Sequence, residues 1–160
     1  MIIVLGTGII GLHTAYDILK RGMKVTLLDF NAGASATNAS VGMLAPLIEA
    51  KPLEKKLLTL MTDSKRIWDD LNINDKLNNR VGLLNNSSLL ISMNNDDTEK
   101  LKFKKNFFKE LGVNSALLSS KETLKIEPCL NSNVQSSLFC KNQNQVNPQL
   151  LQKSSRPRTA

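Results

Sequence analysis

The chain has 160 residues, 41% hydrophobic and 22% charged, enough apolar side chain to bury the core of one domain and too much for a disordered or coiled-coil protein. Eight glycines, five prolines and two cysteines exclude collagen-like material and a disulfide scaffold. The net charge is +7, but 16 of the basic residues are Lys and only 5 are Arg, alongside abundant Asn and a single Trp and Tyr. That is a solvated lysine surface without stacking platforms, so no nucleic-acid partner is expected.

No membrane span is expected either. Residues 1–16 are uncharged but interrupted by Gly6 and Gly8, and lack the basic start of a signal peptide. Residues 30–48 carry Asn31, Ser35, Thr37, Asn38, Ser40 and Pro46, which suits a polar loop. The expected location is cytoplasmic.

Met1–Leu5 (MIIVL) is a β-branched run ahead of glycine and predicts a buried parallel strand. A helix follows to about Arg21, with Leu12, Ala15, Ile18 and Leu19 on one side and Gly22 as its stop. Lys24–Leu28 predicts the second strand, closed by Asp29. Together they form a right-handed βαβ unit. Residues 31–50 read as a loop with a short helix near Val41–Leu47.

Leu53–Leu71 predicts a helix, with Leu53, Leu57, Leu60, Met61, Ile67, Trp68 and Leu71 as one apolar stripe and Trp68 as a core anchor. Asn78–Asn79 marks a break. Gly82–Leu84 and Leu89–Met93 read as two strands around an Asn85–Ser88 turn, or as one interrupted strand. Asn95–Leu111 predicts a lysine-rich helix ending at Gly112.

Ala116–Leu118 predicts a short strand. Ser119 and Glu122 have capping-box spacing for a helix that ends before Pro128. Ser137–Cys140 predicts a last strand, and Asn147–Pro148 a helix that stops almost at once. The closing SSRPRTA, residues 154–160, differs in composition from everything upstream and reads as a frayed tail or as a truncation. There is no internal repeat.

The chemistry concentrates near the N-terminus. Gly6, Gly8 and Gly11 form a GxGxxG that leaves a strand and opens a helix, Ala15 follows one turn later, and Asp29 ends the second strand. Gly6 permits a tight turn, Gly8 leaves bare backbone for a pyrophosphate, and Gly11 allows close helix–strand packing. The helix N-terminus offers oriented N–H groups and partial positive charge. Asp29 can accept hydrogen bonds from a ribose diol, and its charge disfavours a 2′-phosphate. The pattern is that of dinucleotide binding. GASATNASVGMLAP, residues 33–46, supplies small side chains and hydroxyls for a second backbone approach to an extended cofactor, which favours FAD over NAD.

GTGIIGLHTA, VTLLD and the loop ending in GMLAP resemble the N-terminus of the FAD-dependent D-amino-acid oxidase family, most of all its glycine oxidase branch, the flavoenzymes of thiamine biosynthesis. Trp68, Gly82, Glu127–Pro128 and Val146–Asn147–Pro148 continue the likeness. The resemblance implies an α/β fold: a Rossmann-like, GR2-type FAD-binding βαβ unit at 1–52, then from 53–152 a helix and the start of an antiparallel-sheet substrate domain, with 153–160 an aberrant or disordered tail. It implies FAD lying across Gly6, Gly8 and Gly11, with Ile9 and Ile10 meeting the pyrophosphate through their backbone. Asp29 and Phe30 would hold the adenosine ribose region. Ala36, Thr37, Val41, Gly42 and Met43 would run toward the flavin ring.

The implied reaction is oxidation of glycine, a D-amino acid or a related amine. Hydride passes to flavin, the imino acid hydrolyses, and oxygen or a quinone takes the electrons. The family's arginine for the substrate carboxylate lies in a second half not present here. No catalytic residue is therefore assigned, and a second chain carrying that half is a candidate partner. A truncated, non-catalytic remnant or nucleotide-binding subunit is the alternative, and a compact NAD-dependent dehydrogenase a third reading. His13 has no ligand partner at metal spacing, Cys129 and Cys140 read as buried free thiols, and Lys100, Lys102, Lys104, Lys105 and Lys109 as a solvated face, so no metal site is expected.

Overall fold

The structure, a computed structural model, describes residues 2–30, 35–75 and 81–155. The Asn78–Asn79 break and most of the SSRPRTA tail lie outside them. The chain divides into two compact units, one drawn from Met1–Met43, Asp69–Leu84 and Gln145–Ala160, the other from Leu44–Trp68 and Asn85–Asn144.

In the first unit, β1 (Ile2–Leu5) and β2 (Val25–Leu28) pair in parallel, Ile2 opposite Val25 and Leu5 opposite Leu28. The crossover is α1 (Ile9–Lys20), which buries Leu12 and Ala15. It ends as expected at Gly22: the Gly22 N–H donates to the Leu19 carbonyl at 2.9 Å and the Met23 N–H to the Ile18 carbonyl at 3.2 Å. This double bond pattern satisfies carbonyls that the helix leaves orphaned. The expected burial of β1 is corrected. Ile2, Ile3 and Leu5 are exposed, and so is Leu19 on α1. The two-stranded sheet is flanked by α1, and the described residues do not bury the rest of its apolar surface.

The small-residue segment is more regular than a loop. It forms α2 (Ala36–Ala39), the two-residue β3 (Met43–Leu44) and α3 (Pro46–Glu49), so the single helix expected near Val41–Leu47 is replaced by a strand and two short turns of helix. Pro46 stands at a helix start, where its missing N–H costs nothing. The last helix, Pro148–Ser155, packs on α1 and α2 and runs two turns rather than stopping at once. Its first turn is closed by Asn147, whose Oδ1 accepts from the N–H groups of Gln149 and Leu150, both at 3.0 Å.

The second unit holds most of α4 (Lys55–Asp75). Its inward face is rotated from the predicted one. Leu58 is buried and Met61, Lys65 and Trp68 are partly buried, while Leu53, Leu57, Leu60 and Ile67 are exposed. Leu58, Met61, Lys65 and Trp68 also recur at threes and fours, so periodicity alone allowed two overlapping stripes, and packing selected the less apolar one. β4 (Leu84–Ser92) is a single strand through the expected Asn85–Ser88 turn. Asn85, Asn86 and Ser87 lie exposed along the strand and Ser88 is partly buried; ladder pairing outweighs their turn preference.

The helix α5 (Asn95–Glu110) starts at Asn94, whose Oδ1 accepts from the Asp97 N–H at 2.8 Å. It is followed by β5 (Ser115–Ser119), α6 (Ser120–Ile126) and β6 (Ser136–Gln145); the helix at Pro148–Ser155 is therefore α7. The four-stranded sheet runs β3–β6–β4, with β5 antiparallel to β6 and Ser119 opposite Ser136. Leu101, Phe107 and Phe108 of α5 bury against Leu138 and Cys140 of β6 and Leu58 of α4. The buried hydroxyls of β6 are satisfied in pairs: Ser136 with Ser92 at 2.6 Å, and Ser137 with Thr123 at 2.7 Å.

Ser119 and Glu122 form the predicted capping box. The hydrogen bonds from Ser119 hold the Glu122 carboxyl below its ordinary 4.5. A carboxylate depressed in the folded state stabilises above its unfolded pKa and loses that contribution as pH falls through the folded value. Ser119→Ala is expected to lower the melting temperature by about 4 °C, from a cap contribution of about 1 kcal/mol. Glu122→Gln is expected to flatten the fall in melting temperature below pH 4.5. Scanning calorimetry between pH 3 and 7 checks both, and an unchanged acid slope in Glu122→Gln counts against the box as a stabilising element.

Candidate functional site

The site is built in the first unit around the turn between β1 and α1. Gly6 has φ +97°, a backbone region closed to most side chains, and its N–H donates to the Leu28 carbonyl at 2.7 Å. The turn is thereby tied to the end of β2. Thr7 then grips the next residue of that strand: both its N–H, at 3.0 Å, and its hydroxyl donate to Asp29 Oδ2. Gly8 caps α1 with extended backbone and no side-chain hydrogen bond. A Cβ at Gly8 would meet only the Thr37 hydroxyl, at 3.4 Å. A Cβ at Gly11 would lie 2.0 Å from the Gly6 carbonyl oxygen and 3.6 Å from Val4. Gly11 is thus the position where helix and strand touch.

The small-residue segment comes up to the same turn. Ser35 caps α2 by accepting from the Asn38 N–H. Thr37 is buried, and its hydroxyl accepts from the Ile9 N–H at 2.9 Å. The structure therefore brings Gly6, Gly8, Ile9, Gly11, Asp29 and Thr37 together. Ile10 stands exposed on the first turn of α1, Phe30 is fully exposed, and Ala36 is exposed on α2.

Val41 and Gly42 are bound to the last residue of β6 and the one after it instead. The Gln145 side-chain amide donates to the Val41 carbonyl at 3.1 Å, and the Val146 N–H to the Gly42 carbonyl at 2.9 Å. Gly42 has φ +73°, and a Cβ there would fall 1.9 Å from the Val146 carbonyl oxygen. A cavity of about 460 Å³ opens beside these residues, lined by Asn38, Ser40, Val41, Gly82, Gln145 and Asn147 among others. Met43 is exposed at its neighbouring strand.

One residue of the site carried no sequence signal, Gln152, and the particular roles of Thr7 and Ser35 within their signalled segments were not read. Gln152 is buried in α7, and its amide donates to the Thr7 carbonyl at 2.8 Å and to Ser35 Oγ at 3.4 Å. Two hydroxyls and an amide in polar, small-residue surroundings match no chemical motif. They are found only once α7 is placed beside α1 and α2.

The other candidates carry no chemistry. His13 is half-buried in α1, and burial pushes its pKa down. Cys140 is a buried free thiol whose pKa burial raises, but Cys129 is exposed, against expectation, in the turn after Pro128. The lysine run is solvated and ion-paired at Lys100 and Lys102. Lys104 departs from it: its ammonium donates to the Ile48 carbonyl, lies 5.7 Å from the Phe108 ring, and is held below the ordinary lysine pKa by burial. Among the described residues no three His, Cys, Asp or Glu side chains group as metal ligands, and no helix is long and apolar enough to cross a membrane.

A parallel βαβ unit, a glycine turn opening a helix and a carboxylate at the end of the second strand are the elements from which dinucleotide sites are built. The chain belongs to the DAO family of FAD-dependent oxidoreductases, which it matches over residues 1–154. It is similar to the glycerol 3-phosphate oxidase of Mycoplasma genitalium, 29% identical over 146 residues, covering 86% of this chain and 36% of that one. Its fold is that of the glycine oxidase of Geobacillus kaustophilus, with TM-score 0.84 and 22% identity over 96% of this chain and 42% of that one. It is also that of the L-α-glycerophosphate oxidase of Mycoplasma pneumoniae, solved with FAD bound, with TM-score 0.75 and 24% identity over 96% of this chain and 40% of that one. The chain thus spans about two fifths of the length of these relatives.

Proposed function

We propose that this chain carries the FAD-binding portion of an oxidase acting on glycine, a D-amino acid or a similar small amine. The observation that carries the reading is the tie of Asp29 to the glycine turn that opens α1, through the Thr7 N–H and hydroxyl. The donor set suits the group. Gly8 offers bare backbone where a pyrophosphate needs close approach, and the first turn of α1 at Ile9 and Ile10 supplies partial positive charge, with the Ile9 N–H held by the Thr37 hydroxyl. Asp29 and Phe30 would hold the adenosine ribose region. Ala36, Thr37, Val41, Gly42 and Met43 would line the path toward the flavin. FAD, when bound, supplies the hydride acceptor. These residues bind and orient it; none of them is assigned to substrate.

Thr7 has a stated task in this reading. Its two donors fix the Asp29 carboxylate through one oxygen, turning it before the ribose arrives. Asp29→Ala is expected to weaken FAD binding about tenfold, as loss of a charge-assisted hydrogen bond implies. Quenching of flavin fluorescence on titration measures it, and unchanged affinity counts against Asp29 as the ribose acceptor.

The similarity to glycerophosphate oxidases supports a second substrate class, a phosphorylated alcohol. The span of two fifths of the relatives supports a third reading, nucleotide binding without turnover until a second polypeptide supplies the remaining groups. One experiment separates all three. The chain is passed through gel filtration with FAD, its visible spectrum is recorded, and peroxide is assayed with glycine and with glycerol 3-phosphate. Retained flavin is the expected result for the first reading, with glycine-dependent peroxide only when a polypeptide carrying the remaining part of the relatives' length is added. Peroxide with glycerol 3-phosphate alone under that condition selects the second, and retained flavin without turnover even then leaves nucleotide binding alone. No retained flavin defeats the FAD-binding reading.

A further inference from the structure

Gln152 is 4% exposed, in a helix whose neighbouring Leu151 is 5% exposed. A buried amide costs free energy unless its groups are bonded, so leucine would serve packing alone as well or better. The hydrogen bonds of Gln152 are specific. Its NH₂ reaches the Thr7 carbonyl, inside the glycine-rich turn, and Ser35 Oγ, at the start of α2. Thr7 in turn holds Asp29, and the α2 segment begun by Ser35 carries the Thr37 hydroxyl that meets the Ile9 N–H. One side chain from α7 therefore joins the two segments that face each other across the N-terminus of α1.

We infer that Gln152 is a positioning residue, setting the separation of the glycine-rich turn and the Ser35–Thr37 segment for a ligand long enough to touch both. The inference rests on the reading of these segments as the FAD site. The Gln152 amide donors are turned to the protein's own acceptors, so it acts on the ligand through those two segments. Its effect should depend on ligand length. FAD spans both segments, whereas ADP reaches the glycine-rich turn and Asp29 but has no flavin end to follow residues 41–43. A purely structural role in α7 would weaken both ligands alike.

The test is titration of the whole chain, as wild type and as Gln152→Met, with FAD by fluorescence quenching and with ADP by calorimetry, beside thermal melts. Methionine keeps the length and removes the donors. The expected result is an FAD dissociation constant raised about tenfold and an ADP constant changed by less than about threefold. Ser35→Ala removes the acceptor on the α2 side together with the cap on the Asn38 N–H and is expected to show the same split; with the thermal melt reporting the lost cap, it serves as the readout if Gln152→Met does not fold. Equal weakening of FAD and ADP, or unchanged FAD affinity, overturns the positioning role while leaving the site itself standing. Wild type that binds neither ligand overturns the FAD-site reading and this inference with it.

Discussion

Gly11→Ala is expected to destabilise the first unit by about 2–3 kcal/mol, the scale of a forced overpacking, and to abolish measurable FAD binding. The added Cβ would sit 2.0 Å from the Gly6 carbonyl oxygen, and both partners are anchored backbone. Gly6 is hydrogen-bonded to Leu28, and the following Thr7 to Asp29. Relief requires α1 to move off β1, which carries the helix N-terminus away from the carboxylate it faces. Gly8→Ala provides the contrast. Its φ of −69° suits alanine, and the new methyl meets only the Thr37 hydroxyl, at 3.4 Å. It should melt near wild type yet bind FAD at least tenfold more weakly, because the methyl occupies the approach of the pyrophosphate. Circular-dichroism melts with FAD titration distinguish the two. A Gly11→Ala protein that melts with wild type would show that the helix–strand contact is softer than the geometry demands.

Phe108→Ala is expected to cost the second unit about 3–5 kcal/mol. Phe108 is 0% exposed. Its ring lies 6.1 Å from that of Phe107 between centroids, beneath the Lys104 ammonium, in the cluster with Leu101, Leu138 and Cys140. Truncation leaves a cavity that flanking helix and strand cannot close, and removes the ring over which Lys104 is held. The loss is a large share of the 5–15 kcal/mol typical of a domain. Trp68, the single tryptophan and part of this unit, reports the transition in urea. A midpoint shift equivalent to less than about 1 kcal/mol would place the core elsewhere.

The βαβ unit was legible because each of its signals is local. Hydrophobic runs, glycines at fixed offsets and an acidic residue at a strand end are set by the demands of one turn. The capping box at Ser119 and Glu122 was legible for the same reason. What failed depended on neighbours distant in sequence. The inward face of α4 was read only in part: Met61 and Trp68 of the predicted stripe are partly buried, but Leu57, Leu60 and Ile67 are exposed while Leu58 and Lys65 face inward instead. Asn85–Ser88 has turn composition but was drawn into β4 by strand pairing. The three-way meeting of Thr7, Ser35 and Gln152 stayed hidden because no short window contains it.

That meeting also has a consequence for how the protein is made. Gln152 closes on Thr7 from 145 positions away, so the glycine-rich turn waits for those residues to be synthesised before its last hydrogen bonds form. At synthesis rates of 5–20 residues per second the wait is roughly 7–30 s. During it, the apolar side chains of β1 and β2 lack the helix that packs on α1. The second unit, Leu44–Trp68 with Asn85–Asn144, is completed only a few residues before Gln152, so in vectorial synthesis its core and the last hydrogen bonds of the glycine-rich turn become available almost together.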